Sequence, residues 1–216
     1  HGAHSDLIVM TDQEGTGYSV LLTTKEGQRT AVVHRGASAT LTHKEVPWGR
    51  IKCDWIYMTS LGGNIELAKR VINFAAKHRI RVAWNPGSAD LKHGDKVLLP
   101  LMKSVDLVSL NRQEGSRLTG IAESDLRGIL RRLGPLVGRF LLLTDGARGT
   151  YIALKDTCYY AHPSGAPLVN ATGAGDAMGS AVTAGLMQFQ DDMTMAVRLG
   201  TLNAESVIGE VGAKTG

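Results

Sequence analysis

The chain has 216 residues, which is enough for one α/β domain with a small appendage. Its composition, 43% hydrophobic and 20% charged, excludes a disordered chain, and no apolar run is long enough to cross a membrane. The net charge of +4 lies in short basic clusters without interleaved aromatic residues, so we predict neither a nucleic-acid nor a membrane partner. Cys53 and Cys158 fit no metal or disulfide spacing, which favours reduced thiols and a cytoplasmic protein.

The sequence changes character near residue 50. In residues 1–50, the β-branched runs "GYSVLLTT" and "QRTAVVHR" flank the turn signal "KEG", which predicts a hairpin that forms part of a small β lid. In residues 51–216, strands alternate with helices, which predicts a doubly wound, mostly parallel α/β sheet with right-handed crossovers. The predicted elements are, in order, strand "DWIYM", helix "NIELAKRVINFAAKHR", strand "IRVAWN", a short helix in "HGDKVLLPLMKS" limited by Pro100, strand "VDLVSLN", helix "ESDLRGILRRLG", strand "RFLLLT", the hairpin of "TYIALKD" and "CYYAHP", and helices over 172–189 and 193–209.

Ligands of such sheets bind beyond the carboxyl ends of the strands. Four loops follow predicted strands and are therefore candidate binding loops: "NPGS", "NRQE", "TDGARG" and "NATGAGD". The last of these places three glycines and one aspartate, Asp176, at the mouth of a predicted helix.

Asp176 has two interpretations. It can satisfy the helix N-terminus, as acidic residues commonly do. Alternatively, the glycine amides hold a transferring phosphate while Asp176 accepts a proton from the attacking hydroxyl, which is the combination that an alcohol kinase needs. The dinucleotide motif GxGxxG does not explain the loop, because Gly173 and Gly175 are followed by Gly179, one position too late.

Several motifs in series resemble the ribokinase-like (PfkB) carbohydrate and nucleoside kinase family. "NATGAGDAM" is similar to the core of the family's second signature, and "WNPGSADL", "VDLVSLNRQEGSRLTG", "LLLTDGARGTYI" and "LNAESVIGEVGA" are similar to its other motifs in the same order. The resemblance begins near Gly15 and covers the C-terminal two-thirds of the family's length.

The resemblance implies a role for each matching residue. Asp176 is the catalytic base, and Gly173, Ala174 and Gly175 supply the amides of an anion hole. Glu114 holds Mg²⁺ through water, and Asn170 and Thr172 mark a site for a monovalent cation. ATP is the implied phosphoryl donor, and its contacts are Asn111, Thr144, Gly146, Gly149 and Asn203.

The chain also departs from the family's pattern. Asn170 stands where the signature usually has aspartate, so the cation site lacks a charge. The family's opening strand, its substrate-binding aspartate and its "GG…N" segment have no counterpart, which predicts an incomplete chain whose N-terminal part and acceptor pocket are missing. The hairpin within 18–34 is expected to cover the acceptor and to carry a homodimer contact.

Three functions remain open from the sequence. The first is an ATP-dependent kinase that transfers the γ-phosphoryl group to a hydroxymethyl group of a sugar or sugar-like substrate, with an adenosine-type nucleoside kinase as the alternative acceptor class. The second is a nucleotide-binding protein of this fold without turnover. The third is a dehydrogenase, which no early strand–GxGxxG–helix unit supports.

Overall fold

A computed structural model describes residues 4–23 and 29–209, and the chain divides into two units, His1–Lys52 and Cys53–Gly216. The first unit contains a two-stranded antiparallel sheet of β1 (Thr16–Thr23) and β2 (Arg29–Gly36). The predicted hairpin strands are therefore present, whereas the turn signal "KEG" lies outside the described residues.

The hairpin exposes much of its apolar surface within its own unit. Tyr18, Val20, Val32 and Val33 are all exposed, and Val20 is directly opposite Val32 in the register. β-branched and aromatic residues favour strands even where their side chains are exposed, which accounts for these four positions.

The second unit is built on a six-stranded sheet whose spatial order follows the sequence. Neighbours from the first to the fourth strand pair in parallel, and the last two pairs are antiparallel, which confirms the predicted mostly parallel sheet and its terminal hairpin. The strands are β3 (Trp55–Met58), β4 (Arg81–Trp84), β5 (Leu107–Asn111), β6 (Phe140–Thr144), β7 (Thr150–Leu154) and β8 (Thr157–Ala161).

Helices cover both faces of this sheet. Side chains alternate along a strand, so Val82 and Trp84 of β4 pack in one apolar cluster and Ala83 packs in the other. Helices from the crossovers cover the first face and the C-terminal pair covers the second, as predicted for a doubly wound fold. The helices are α1 (Ile65–His78), α2 (Ser88–Leu91), α3 (Asp95–Met102), α4 (Arg112–Thr119), α5 (Leu126–Leu133), α6 (Ala174–Gln188) and α7 (Met193–Ile208).

Two helices differ from the sequence-based expectation. α3 ends at Met102, so Pro100 lies inside its last turn rather than at its limit. α4 occupies the segment that was predicted only as the loop "NRQE" and its continuation. It begins at an Asn111 cap and ends at Gly120, which has a φ of 71° that suits glycine.

The strand directions bring the four candidate loops to one edge of the sheet. β3 to β6 are parallel, and two antiparallel steps return β8 to the direction of β6. The loops that follow β4, β5, β6 and β8 therefore all leave the same edge, where ligands of such sheets bind. Among residues 4–23 and 29–209, no helix is long and apolar enough to span a membrane.

Candidate active site

The N-terminus of α6 forms the centre of the site. Gly173 precedes the helix with a φ of 87°, a left-handed conformation that costs glycine little and lets the chain turn sharply into Ala174 and Gly175. The amides of the first helical turn have no intrahelical acceptor, and the helix dipole adds partial positive charge there. This end of α6 is therefore suited to an anion such as phosphate.

A cavity of about 290 Å³ opens beside this turn. It is bounded by the turn after β6, by Ala174 and Gly175 of α6, by the segment between β8 and α6, and by α7. Most of the lining side chains are small or apolar, and the α7 wall adds Thr201 and the carboxylate of Glu205. A concave, mostly apolar cavity with a few polar groups is typical of a small-molecule site.

The turn after β6 contributes glycines to the cavity wall. Gly146 and Gly149 have φ angles of 55° and 96°, which disfavour any other residue. A Cβ on Gly149 would lie 2.6 Å from the carbonyl oxygen of Ala161 and 2.6 Å from the Tyr160 ring. The turn is thus held against β8. Thr144, Gly146 and Gly149, for which the family resemblance implied a nucleotide contact, all line the cavity.

Asn111 and Glu114 form a reciprocal cap at the start of α4. The Asn111 Oδ1 accepts a hydrogen bond from the Glu114 amide at 2.8 Å, and the Glu114 carboxylate accepts one from the Asn111 amide at 2.8 Å. Burial raises the pKa of Glu114 and outweighs the hydrogen bonds that lower it. Neither residue lines the cavity, but Asn111 is paired with Thr144 in the β5–β6 register, at the cavity's edge.

Asp176 lies one residue beyond Gly175, outside the cavity lining. Its side chain is exposed. Tyr57 of β3 lies beneath the same helix, because a Cβ on Gly179 would be only 2.4 Å from the Tyr57 hydroxyl oxygen. Burial raises the pKa of Tyr57, and the negative charge of Asp176 raises it further.

The remaining predicted residues occupy different places. The Asn203 side chain donates to the carbonyl oxygen of Ala177 at 2.9 Å and does not line the cavity. The Asn170 Oδ1 accepts a hydrogen bond from the Thr172 amide at 2.8 Å, which stabilises the approach to α6. That oxygen is uncharged and has a second lone pair, so it can offer a monovalent cation a neutral ligand but no charge.

Sequence reasoning missed a charged cluster that joins two of the candidate loops. The Asp145 carboxylate accepts hydrogen bonds from Arg112 at 2.7 Å and from Arg148 at 2.9 and 3.0 Å. Burial acts to raise the pKa of Asp145, but the two guanidinium groups outweigh it and the pKa lies below its ordinary value. The residues stand inside "NRQE" and "TDGARG", and opposite charges at those positions were the available signal.

Within the part of the chain that the structure describes, no group of three or more His, Cys, Asp or Glu side chains could hold a metal ion. Glu114 is nevertheless a partly buried carboxylate in the first turn of α4, at the carboxyl edge of the sheet. A hydrated Mg²⁺ that is bound through water and substrate phosphates needs only one or two such carboxylates. The residues present therefore fit the implied ion.

The fold and the cavity define an α/β protein in which a helix N-terminus suited to an anion lies at the carboxyl edge of the sheet. The family described as pfkB family carbohydrate kinase matches residues 1–216. The chain therefore belongs to this family, which confirms the resemblance that its motifs indicated.

Individual relatives agree with this assignment. The chain is 24% identical to a ribokinase from Staphylococcus aureus over 98% of its own length and 70% of the relative. A probable sugar kinase from Rhizobium etli (23% identity, TM-score 0.80) covers 91% of the chain, and an adenosine kinase from Sinorhizobium meliloti (22% identity, TM-score 0.82) covers 92%. The chain spans 61% and 62% of these two solved structures, which share its fold.

Proposed function

We propose that the protein is an ATP-dependent kinase that transfers the γ-phosphoryl group of MgATP to a hydroxymethyl group of a sugar or sugar-like acceptor. One observation carries the proposal: Asp176, with an exposed carboxylate, directly follows the Gly173–Gly175 turn at the mouth of a cavity. This arrangement puts a proton acceptor next to amides that can hold a transferring phosphoryl group.

The residues divide the reaction between them. Asp176 accepts the proton of the acceptor hydroxyl while the hydroxyl oxygen forms the new bond to the γ-phosphorus. The bond between that phosphorus and ADP breaks, and ADP leaves with its electrons. The amides of Gly173, Ala174 and Gly175 stabilise the negative charge that the phosphoryl oxygens carry during transfer. Glu114 would hold Mg²⁺ through water, and the ion would neutralise charge at the phosphates.

The cavity is the proposed place of the nucleotide. Thr144, Gly146 and Gly149 on one wall are proposed to line the phosphates and ribose. The carboxylate of Glu205 disfavours phosphate on the α7 wall and suits hydroxyl groups instead. Asn111 is beside Thr144 in the sheet and is proposed to lie near the phosphates. Asn203 is proposed to contact adenine, which requires its side chain to break the hydrogen bond to the Ala177 carbonyl oxygen.

The acceptor class is the finer part of the proposal. Relatives of this chain are named as ribokinase, sugar kinase and adenosine kinase, so a nucleoside acceptor is the alternative within the same mechanism. The hairpin of β1 and β2 is proposed to cover the acceptor and to form a homodimer contact through its exposed Tyr18 and Val32. The two free cysteines, Cys53 and Cys158, support the proposed cytoplasmic location.

The test compares Asp176→Asn with the wild type. Calorimetry with MgATP on this chain measures nucleotide binding, and ADP release over a panel of sugars and nucleosides, with the complete gene product, measures turnover. We expect Asp176→Asn to reduce turnover by about 10²–10⁴-fold, because that is the usual contribution of a general base, while MgATP affinity stays within about threefold. Asn111→Ala is the matched variant that weakens MgATP binding instead.

Turnover of Asp176→Asn within a few-fold of the wild type would exclude Asp176 as the base. Saturable MgATP binding without ADP release from any acceptor would favour the nucleotide-binding protein without turnover. Binding of NAD in place of ATP would favour a dehydrogenase.

A further inference from the structure

The Asp145 carboxylate connects two loops that lie apart in the sequence. One oxygen accepts from the Arg112 guanidinium, at the first position of α4, and both oxygens accept from Arg148, in the turn after β6. Arg112 also donates to the carbonyl oxygen of Glu123, which fixes its guanidinium from the other side. Asp145 therefore attaches the turn after β6 to the N-terminus of α4.

The two ion pairs differ in strength. The side chains of Arg112 and Asp145 are only 17% and 5% exposed, whereas that of Arg148 is 70% exposed. Exposed pairs contribute little to stability, but removing one partner of a buried pair leaves an uncompensated charge and is strongly destabilising. The Arg112–Asp145 pair is thus the contact that fixes the geometry.

The turn that Asp145 begins needs such a contact. It contains two glycines in left-handed conformations, Gly146 and Gly149, and glycine loses more conformational freedom on ordering than any other residue. Backbone bonds close the turn, from the Asp145 amide to the Gly149 carbonyl at 2.9 Å and from the Gly149 amide to the Gly146 carbonyl at 3.1 Å. Tyr160 adds a hydrogen bond to the Arg148 carbonyl at 2.9 Å.

We propose that Asp145, held by Arg112, is a positioning residue for the nucleotide: it fixes the turn after β6 in the conformation that forms the cavity wall. Asp145 is not among the cavity-lining residues, whereas its neighbours Thr144 and Gly146 are. It therefore acts through the turn and lowers the ordering cost of binding. The proposal rests on the proposed nucleotide site.

Two effects of Asp145→Asn have opposite signs. The substitution removes a negative charge close to the cavity and leaves Arg112 and Arg148 without their anion, which on charge alone strengthens the binding of a polyphosphate. Loss of the fixed turn weakens binding instead. The direction of the change in MgATP affinity therefore separates a positioning role from a purely electrostatic one.

The experiment is calorimetry with MgATP on this chain, at low and at high salt, with a thermal melt of every variant. We expect Asp145→Asn to weaken MgATP binding about tenfold at both salt concentrations. Arg112→Lys keeps the charge but loses the planar two-donor geometry, and is expected to weaken binding about threefold with a smaller loss of stability, so it serves if Asp145→Asn folds poorly.

Asp106→Asn is the matched control at the opposite edge of the sheet. The Asp106 carboxylate accepts from the Arg81 Nε at 3.1 Å and from the Val82 amide at 3.0 Å, so its loss also breaks a partly buried ion pair. A merely structural role predicts that both aspartate variants lower the melting temperature and leave MgATP affinity unchanged. We expect only Asp145→Asn to change the affinity.

The outcomes distinguish the two proposals. If the wild type binds MgATP, and Asp145→Asn and Arg112→Lys bind it equally well or more tightly, the positioning role is overturned. The proposed function then still stands. A folded wild-type chain that does not bind MgATP overturns the nucleotide site, and the positioning role with it. Weaker binding by both variants, with Asp106→Asn at the wild-type value, supports the proposal.

Discussion

Substitution of Gly179 tests the contact between α6 and the strand beneath it. A Cβ at Gly179 would lie 2.4 Å from the Tyr57 hydroxyl oxygen and 3.1 and 3.2 Å from two ring carbons. Tyr57 is on the sheet and its hydroxyl is buried without a hydrogen-bond partner among the described residues. Gly179→Ala must therefore displace either the tyrosine ring or the first turns of α6, which carry Asp176.

Two opposing contributions set the change in the free energy of unfolding on Gly179→Ala. Overpacking a buried contact costs about 1–3 kcal/mol, whereas replacing glycine by alanine inside a helix gains about 0.8–1 kcal/mol. Because 2.4 Å is far inside ordinary contact distance, we expect Gly179→Ala to lower the free energy of unfolding by about 1–2 kcal/mol. Tyr57→Phe removes the closest atom, so in that background the net loss should fall to about zero.

The assay is a double-mutant cycle with urea and thermal unfolding. The expected coupling of about 1.5 kcal/mol corresponds to roughly 3–6 °C in melting temperature for a chain of this size. Gly134→Ala is the control, because Gly134 has a right-handed conformation with nothing within 4 Å of its added Cβ. Equal losses for Gly179→Ala in both backgrounds, within about 0.5 kcal/mol, would refute the reasoning.

Two further predictions concern stability. Burial raises the pKa of Glu114 above its ordinary 4.5, so the folded state keeps the carboxyl proton to higher pH than the unfolded chain does. The protonated carboxyl therefore contributes to stability at low pH, and this contribution is lost as the pH rises through the pKa of the folded state. The unfolding free energy of the wild type relative to Glu114→Gln should therefore fall as the pH rises above 4.5, and a flat difference would contradict the burial. Leu142 lies in the apolar cluster beneath α6 and α7, so Leu142→Ala should lower the free energy of unfolding in urea by about 2–5 kcal/mol. Leu202 is exposed, and Leu202→Ala should change this free energy by no more than about 0.5 kcal/mol. Equal effects of the two substitutions would contradict this packing.

Most of the fold could be predicted because its signals are local. Strands such as Phe140–Thr144 are continuous apolar runs, and α1 has a clear apolar face, so each is visible in a short window. α4 was missed because "RQEGSRLT" contains one large apolar residue, Leu118, and so has no periodic pattern. Its caps at Asn111 and Gly120 define it instead, and such caps also occur in turns.

The candidate site also has local features that the sequence predicts and long-range features that it does not. The glycine turn before Asp176 and the pair of Asn111 and Glu114 are each contained within a few residues, and the sequence identified both as candidate site residues. The bond between Arg112 and Asp145 joins residues 33 positions apart, and it depends on β5 and β6 being neighbours in register. Sequence reasoning predicted both strands but not which side chains meet beyond their ends.

The Asp145 cluster also bears on how this edge of the sheet is proposed to receive a polyphosphate. Arg112 and Arg148 are both paired with Asp145, and among the described residues no arginine or lysine lines the cavity. In the proposed site, recognition would then rest on backbone amides of the glycine turns and on Mg²⁺ rather than on side-chain cations. Amide dipoles at a helix terminus act over one turn, so MgATP affinity should depend on the conformation of these turns more than on salt. Glycines at these positions are what allow that close approach, and Asp145 is what holds one of the turns in place.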